Sequence, residues 1–242
     1  MIASLPMYDR PETAAANDRF WSLIRAALGH GPRKLTRPAD PWDVWLSPDL
    51  LLAQTCGLPF RARLHDKVQL VGTPDYGVTD RPGCYRSVFV VRMGGSRELA
   101  DYAGQRFAFN DIGSQSGWAA PQVHAAALGF RFTDTMRTGS HAGSAAAVAR
   151  GRADIAALDA VSWAIMRGLD RGLRRLDEIG RTAAQPGLPL ITAPGNDAAA
   201  LFAAFAAAID GLVAKDRALL RLKGLVRIPK ADYLAMPDAG TS

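Results

Sequence analysis

Short apolar runs alternate with segments of helical spacing along most of this 242-residue chain. The clearest helical pattern is Glu12–Leu28, where apolar residues recur every three or four positions before Gly29. The strongest strand pattern is Tyr85–Arg92, which is rich in β-branched and aromatic residues. Alternation of the two patterns predicts an α/β fold with mainly parallel sheets.

Two further predictions rest on shorter signals. Val44–Leu46 is predicted as a strand, and Ser47-Pro48-Asp49 as the start of a helix that runs through Leu50–Leu52 toward Gly57. The other predicted strands are Ile2–Leu5, Val68–Thr73, Arg106–Phe109, Thr133–Arg137, Ile155–Leu158, one within Leu173–Arg181, and Ile191–Ala193. The other predicted helices are Glu98–Tyr102, Ser116–Leu128, Ser144–Arg150, Ser162–Gly168, Asp197–Val213 and Asp216–Leu222.

The order of these elements predicts two lobes with a discontinuous chain path. One lobe would hold residues 1–88 and 190–242, and the other would hold residues 89–189 and the anion-binding loops. The chain would cross between them in the Tyr85–Arg92 strand and in the Pro186–Ile191 segment. Two such crossings are typical of proteins that bind a ligand in a cleft between their lobes.

Composition narrows the possible functions. The formal net charge is +6, with 24 arginines against 5 lysines, and a basic chain attracts anions in general. No basic run with interleaved aromatic residues is present, so we do not expect nucleic-acid binding. Two cysteines, Cys56 and Cys84, and four histidines make a structural zinc site unexpected, and neither a metal nor a cofactor is predicted.

The N-terminal residues Met1–Tyr8 carry no basic segment, long apolar segment or cleavage site of a signal peptide. The most apolar stretch, Ala198–Ile209, is too short to span a bilayer, so no membrane insertion is expected. As written, the chain is expected to be cytoplasmic; it would be periplasmic if its start were truncated or processed.

The segment Asn110–Gly117 follows a predicted strand and opens a predicted helix. Its glycines and small polar residues favour an anion site, because free N–H groups meet the positive end of the helix dipole there. The hydroxyl groups of Ser114 and Ser116 add donors. The alternative is that either serine only caps the helix. The segment lacks the GK[ST] sequence of a P-loop, so nucleotide hydrolysis is not expected.

Two more polar loops follow in the same predicted lobe. In Thr138–Ser144, His141 is a candidate to donate to an anion or to titrate near neutrality; otherwise it is an ordinary surface histidine. Asp159 stands at the carboxyl end of a buried strand, the edge at which open α/β sheets bind ligands. Asp159 would accept hydrogen bonds from a ligand amine or hydroxyl, or cap the next helix.

The order of these segments resembles a known family. Ser-x-Ser-Gly, then Gly-Ser-His, then Gly-x-Ala-Asp-Ile-Ala-Ala-Leu-Asp and Ser-Trp is similar to the phosphonate-binding, PhnD-like substrate-binding proteins of ABC transporters. The resemblance extends from Ser4 to about Pro229 and is strongest from Phe107 to Trp163. It implies the type II periplasmic-binding-protein fold, which has two α/β lobes joined by two strands.

The resemblance also implies a set of ligand-binding residues. The anion-contacting loop of the family matches Ser114, Gln115 and Ser116, although the family often has threonine where this chain has Gln115. Its ligand histidine matches His141, and its ligand aspartate matches Asp159. Its lobe-one aromatic residue is Tyr8 as the first choice and Tyr85 as the second.

The function implied is capture of a small phosphonate-like, phosphate-like or other anionic solute by lobe closure, without catalysis. The chain would act as a monomer and deliver the solute to an ABC transporter permease. One alternative is an enzyme of cofactor biosynthesis on the same fold with His141 as general base, although the sequence shows no base–nucleophile pair. The other is a cytoplasmic ligand sensor.

Overall fold

The computed structural model describes residues 1–237, which form two compact units. Unit one contains Met1–Cys84 and Pro186–Ala235, and unit two contains Tyr85–Gln185 together with Met236 and Pro237. The chain passes from one unit to the other after Cys84 and after Gln185, four residues before each of the expected boundaries at 88 and 189.

The bounds of the regular elements are as follows. The strands are β1 Ile2–Ser4, β2 Leu50–Gln54, β3 Gln69–Asp75, β4 Cys84–Tyr85, β5 Ser87–Arg92, β6 Phe107–Phe109, β7 Thr135–Arg137, β8 Ile155–Asp159, β9 Leu176–Arg181, β10 Gln185–Pro186, β11 Leu190–Thr192 and β12 Gly224–Val226. The α-helices are α1 Ala14–Leu28, α2 Trp42–Trp45, α3 Gly57–Pro59, α4 Ala120–Ala127, α5 His141–Ala149, α6 Ala160–Leu169, α7 Ala198–Gly211, α8 Ala214–Leu220 and α9 Lys230–Leu234. Turns of 3₁₀-helix cover Pro6–Tyr8, Leu99–Tyr102 and Arg171–Arg175, and turns of π-helix cover Phe60–Leu64 and Gln115–Ala119.

Unit one is built on a sheet with the strand order β1-β2-β11-β3-β12. β1 and β2 are parallel, whereas β11 runs antiparallel to both β2 and β3, and β12 is antiparallel to β3. The apolar faces of α1 and α7 pack together over this sheet, and the rings of Phe20 and Phe205 meet edge to face at 4.9 Å. Unit one therefore has a hydrophobic core of its own.

Unit two is built on a sheet with the strand order β7-β6-β8-β5-β9. β7, β6 and β8 are parallel, and β5 is inserted antiparallel between β8 and β9. Phe107 and Phe132 stack at 4.3 Å in its core. Because parallel strands end at one edge of a sheet, the three polar loops that follow β6, β7 and β8 meet at that edge. Both sheets thus combine parallel strands with an inserted antiparallel strand, as β5 and β11 demonstrate.

Two predicted elements are wrong. Val44–Leu46 is not a strand, because Trp42–Trp45 forms α2. The helix predicted through Leu50–Leu52 is instead strand β2, all five residues of which are buried. A strand covered on both faces has a continuous apolar run rather than an alternating one, and a run of that kind does not distinguish a strand from a buried helix.

Several predicted boundaries also shift. The Tyr85–Arg92 strand is interrupted at Arg86 and forms β4 and β5. The helix that follows β7 begins at His141 rather than at Ser144, so the histidine belongs to the first turn of α5.

Within residues 1–237, no disulfide bond joins Cys56 and Cys84. Within residues 1–237, no single helix is long and apolar enough to cross a membrane; α7 and α8 would suffice together but are bent by 118° at the break between them.

Candidate functional site

The two serines of the Asn110–Gly117 loop have different partners. Ser114 has extended backbone and accepts a hydrogen bond at Oγ from the N–H of Gly117 at 3.0 Å, so it caps the π-helical turn. Ser116 points elsewhere: its Oγ lies 3.1 Å from Nε2 of His141. Both side chains are buried. The capping alternative therefore accounts for the side chain of Ser114 but not for that of Ser116.

The loop after β6 is held against the loop after β7. The carbonyl oxygen of Asn110 accepts a hydrogen bond from the N–H of Gly139 at 3.0 Å, and Arg137 forms an ion pair with Asp111. The side chain of Asn110 lies directly over Gly117, where an added Cβ would be 1.8 Å from Oδ1 of Asn110. Gly117 therefore lets the side chain of Asn110 pack closely against the backbone. That this glycine also lets the backbone approach a ligand stays a prediction.

His141 occupies the first position of α5, which Ser140 caps by accepting a hydrogen bond from the N–H of Gly143 at 3.0 Å. Burial lowers the pKa of His141 to about 4. The residue as a whole is half-buried, but its Nδ1 is inaccessible to solvent. The imidazole is therefore neutral near pH 7, and the expectation that it titrates near neutrality is wrong. A neutral imidazole has one N–H donor, so it still has the means to bind an anion.

Gln115 points into the protein. Its side chain is buried, and its Nε2 donates to Oε1 of Gln185 at 2.9 Å. Gln185 is the last residue of unit two before the chain crosses to unit one, and it was not among the predicted site residues. No local pattern indicates it, because the two glutamines are 70 positions apart in the sequence.

Ser87 connects the third loop to the first. Its hydroxyl donates to the carbonyl oxygen of Ser116 at 2.8 Å, and it pairs with Asp159 in the register of β5 and β8. Asp159 is buried, and its Oδ1 accepts a hydrogen bond from the N–H of Ser162 at 2.8 Å. Asp159 thus caps α6, which is one of the two roles considered for it; contact with a ligand remains a prediction.

The two candidate aromatic residues lie in different units. Tyr8 belongs to unit one, where its ring meets that of Tyr76 edge to face at 4.8 Å, and both border a small pocket with Asn17 and Gln54. Tyr85 is buried in unit two, so its expected position in the first lobe is wrong. The boundary falls within β4, between Cys84 and Tyr85.

Three buried polar atoms around this loop have no hydrogen-bond partner within residues 1–237: Oδ1 of Asn110, Nδ1 of His141 and Nε2 of Gln185. Buried polar groups are nearly always hydrogen-bonded, so such atoms point to a missing ligand or water. Among the same residues, no group of three or more His, Cys, Asp and Glu side chains is arranged to hold a metal ion. This edge of unit two therefore presents uncharged hydrogen-bond donors and acceptors next to the first turns of two helices.

The fold of the chain is shared with solved structures of binding proteins. A binding-protein component of an ABC phosphonate transporter from Pseudomonas aeruginosa has a TM-score of 0.74 at 16% identity, over 97% of this chain and 82% of that one. PhnD1 from Prochlorococcus marinus, in complex with methylphosphonate, has a TM-score of 0.71 at 18% identity, over 96% of this chain and 94% of that one. The GluR0 ligand-binding core from Nostoc punctiforme, in complex with L-glutamate, has a TM-score of 0.60 at 12% identity, over 91% and 94%. These similarities establish the type II periplasmic-binding-protein fold.

Sequence comparison identifies the family. No curated protein sequence matches the chain. A family model described as the periplasmic substrate-binding protein of a phosphonate ABC transporter matches residues 52–233, which is more than half of the chain and includes all three polar loops of unit two. The chain therefore belongs to the family of phosphonate-binding periplasmic substrate-binding proteins of ABC transporters.

Proposed function

We propose that this protein captures a small phosphonate-like or phosphate-like anion on Ser114, Gln115 and Ser116, with His141 beside them. The observation that carries the proposal is the 3.1 Å approach of Ser116 to His141, which joins two loops at the edge where parallel strands of unit two end. A hydroxyl, an imidazole N–H and the first N–H groups of a helix all donate hydrogen bonds, and the oxygens of a phosphonate accept them.

Asp159 is the proposed contact for the remainder of the ligand, because its buried carboxylate accepts hydrogen bonds from amines and hydroxyls. Tyr8 is proposed as the aromatic contact from unit one. Tyr85, buried beside the connection, is the second proposal for an aromatic contact.

We further propose that the protein delivers its ligand to the permease of an ABC transporter as a monomer and performs no chemistry. Ser116 and His141 are spaced like a nucleophile and its base. An activated pair also needs a group that orients the base, and Nδ1 of His141 has no partner within residues 1–237. This arrangement favours binding over catalysis.

Isothermal titration calorimetry with methylphosphonate, inorganic phosphate and sulfate tests the proposal. We expect Ser116→Ala to weaken phosphonate binding by roughly 10- to 100-fold, since a hydrogen bond to a charged group contributes about 1.5–3 kcal/mol. His141→Asn is expected to weaken it in the same direction. Ser22→Ala is the matched control, because the hydroxyl of Ser22 donates to the backbone carbonyl of Asp18 on the exposed face of α1 in unit one.

A folded wild-type protein that gives no binding with any of these anions would overturn the proposal. Equal loss of affinity in Ser116→Ala and Ser22→Ala would contradict the assigned site, although not anion binding itself.

A further inference from the structure

Gln185 has one satisfied and one unsatisfied side-chain atom. Its side chain is only 9% exposed, and its Oε1 accepts a hydrogen bond from Nε2 of Gln115 at 2.9 Å. Its own Nε2 is buried and has no acceptor within residues 1–237. Leaving a buried amide donor unpaired is unfavourable, so a hydrogen bond from this atom to an added acceptor would be stabilising.

The position of Gln185 relates this atom to the anion loop. Gln115 stands between Ser114 and Ser116, and the two heteroatoms of a carboxamide share one carbon. The unpaired Nε2 of Gln185 is therefore two covalent bonds from Oε1, the atom that accepts the hydrogen bond from Gln115. Gln185 also lies in β10, the second of the two connections between the units.

We infer that Gln185 is a ligand-contacting residue that donates a hydrogen bond from Nε2 to an oxygen of the bound anion. The inference rests on the proposed function, because it places the acceptor on the same ligand. A phosphonate or phosphate group has three or more acceptor oxygens. Ser116 and the neutral His141 have one O–H and one N–H between them, and one of these two is already used in the hydrogen bond that joins them. A carboxamide adds a donor without adding a charge.

Two substitutions separate direct contact from a purely positioning role. Gln185→Glu keeps an oxygen that accepts from Gln115 but replaces the unpaired N–H₂ with a second oxygen. Gln185→Met removes both the acceptor and the donor while keeping a similar volume. A residue that only positions Gln115 would tolerate Gln185→Glu, whereas a residue that touches the anion would not, because an oxygen there repels it.

Titration of the full chain with methylphosphonate measures the difference. We expect binding to weaken roughly tenfold in Gln185→Met and more than a hundredfold in Gln185→Glu. Gln122→Met is the matched control, because Gln122 is also buried in unit two but the oxygen and the nitrogen of its side chain both bond to the backbone of Phe132. That variant is expected to lower the unfolding temperature and leave the affinity unchanged.

A second measurement does not depend on how the variants fold. In the wild-type protein, the side-chain amide signals of Gln185 in a ¹⁵N–¹H correlation spectrum are expected to shift on titration with methylphosphonate, and those of Gln122 are not. Wild-type affinity in Gln185→Glu, or an unmoved Gln185 amide signal at saturation, would overturn the inference.

The outcomes also separate this inference from the proposed function. If the wild type binds and Ser116→Ala weakens binding while both Gln185 variants bind normally, only the role of Gln185 is rejected. If the wild type binds none of the anions, the proposed function is rejected and the role of Gln185 with it.

Discussion

At the residue scale, the candidate site depends on a few side chains whose roles the sequence left open. Ser114 and Ser116 differ by two positions, yet one caps a helical turn and the other meets His141. The hydroxyl group is the same in both, so only the direction of each side chain decides its role. The protonation state of His141 also depends on its surroundings, because it is burial that lowers the pKa of this imidazole to about 4.

Gly117 gives a direct test of this packing. An added Cβ would lie 1.8 Å from Oδ1 and 2.9 Å from Cγ of Asn110, so Gly117→Ala must displace that side chain. We expect Gly117→Ala to lower the free energy of unfolding by about 1–3 kcal/mol and to weaken phosphonate binding. Urea unfolding and calorimetry measure the two effects.

The matched control for this substitution is Gly104→Ala, since nothing lies within 4 Å of a Cβ at that glycine of the same unit. The double variant Asn110→Ala with Gly117→Ala removes the collision, and it should recover part of the lost stability. If the double variant is no more stable than Gly117→Ala, the collision with Asn110 is not the cause.

At the scale of elements, the sequence predicted helices with clear ends better than it predicted buried strands. The helix expected at Asp197–Val213 is α7, and Asp197 caps it by accepting hydrogen bonds from the N–H groups of Ala199 and Ala200, both at 2.9 Å. Strand β2 was missed because all of its residues are buried and no alternation remains. The helix signal at Ser47-Pro48 is local, whereas β2 is a strand because its backbone pairs with β1 and β11 on its two sides.

The cap of α7 can be tested by substitution. Asp197→Ala removes two hydrogen bonds from the first turn and is expected to lower the free energy of unfolding by about 1 kcal/mol. Asp197→Asn keeps a capping oxygen and should lose much less. Asp210→Ala, near the C-terminal end of the same helix, is the control, because an acidic residue there opposes the helix dipole. Equal losses at Asp197 and Asp210 in urea unfolding would contradict the capping role.

At the scale of the whole molecule, each unit has its own sheet and hydrophobic core, and the chain passes between them twice. The proposed anion contacts Ser114, Gln115, Ser116 and His141 all belong to unit two. We therefore expect ligand binding to stabilise mainly the loops at the edge of that unit where β6, β7 and β8 end.

Hydrogen exchange followed by mass spectrometry tests this expectation. Saturating methylphosphonate should slow amide exchange in residues 110–117 and 138–144. Residues 171–175 are the internal comparison, since they lie near the C-terminal end of α5. His141 is at the other end of this nine-residue helix, which is about 13 Å long. Slowing confined to residues 171–175 would place the ligand elsewhere on unit two.

The sequence by itself determined the α/β class, the discontinuous two-unit chain path and the three polar loops of unit two, because these depend on periodicity and on the order of elements along the chain. It also determined the family, since the loops follow one another in a shared order. Only the tertiary structure decided that Ser116 meets His141, that Ser114 and Asp159 cap helices, that Tyr85 belongs to unit two, and that Gln185 bonds to Gln115. Those outcomes depend on burial and on contacts between residues far apart in the chain, which no local pattern of residue types encodes.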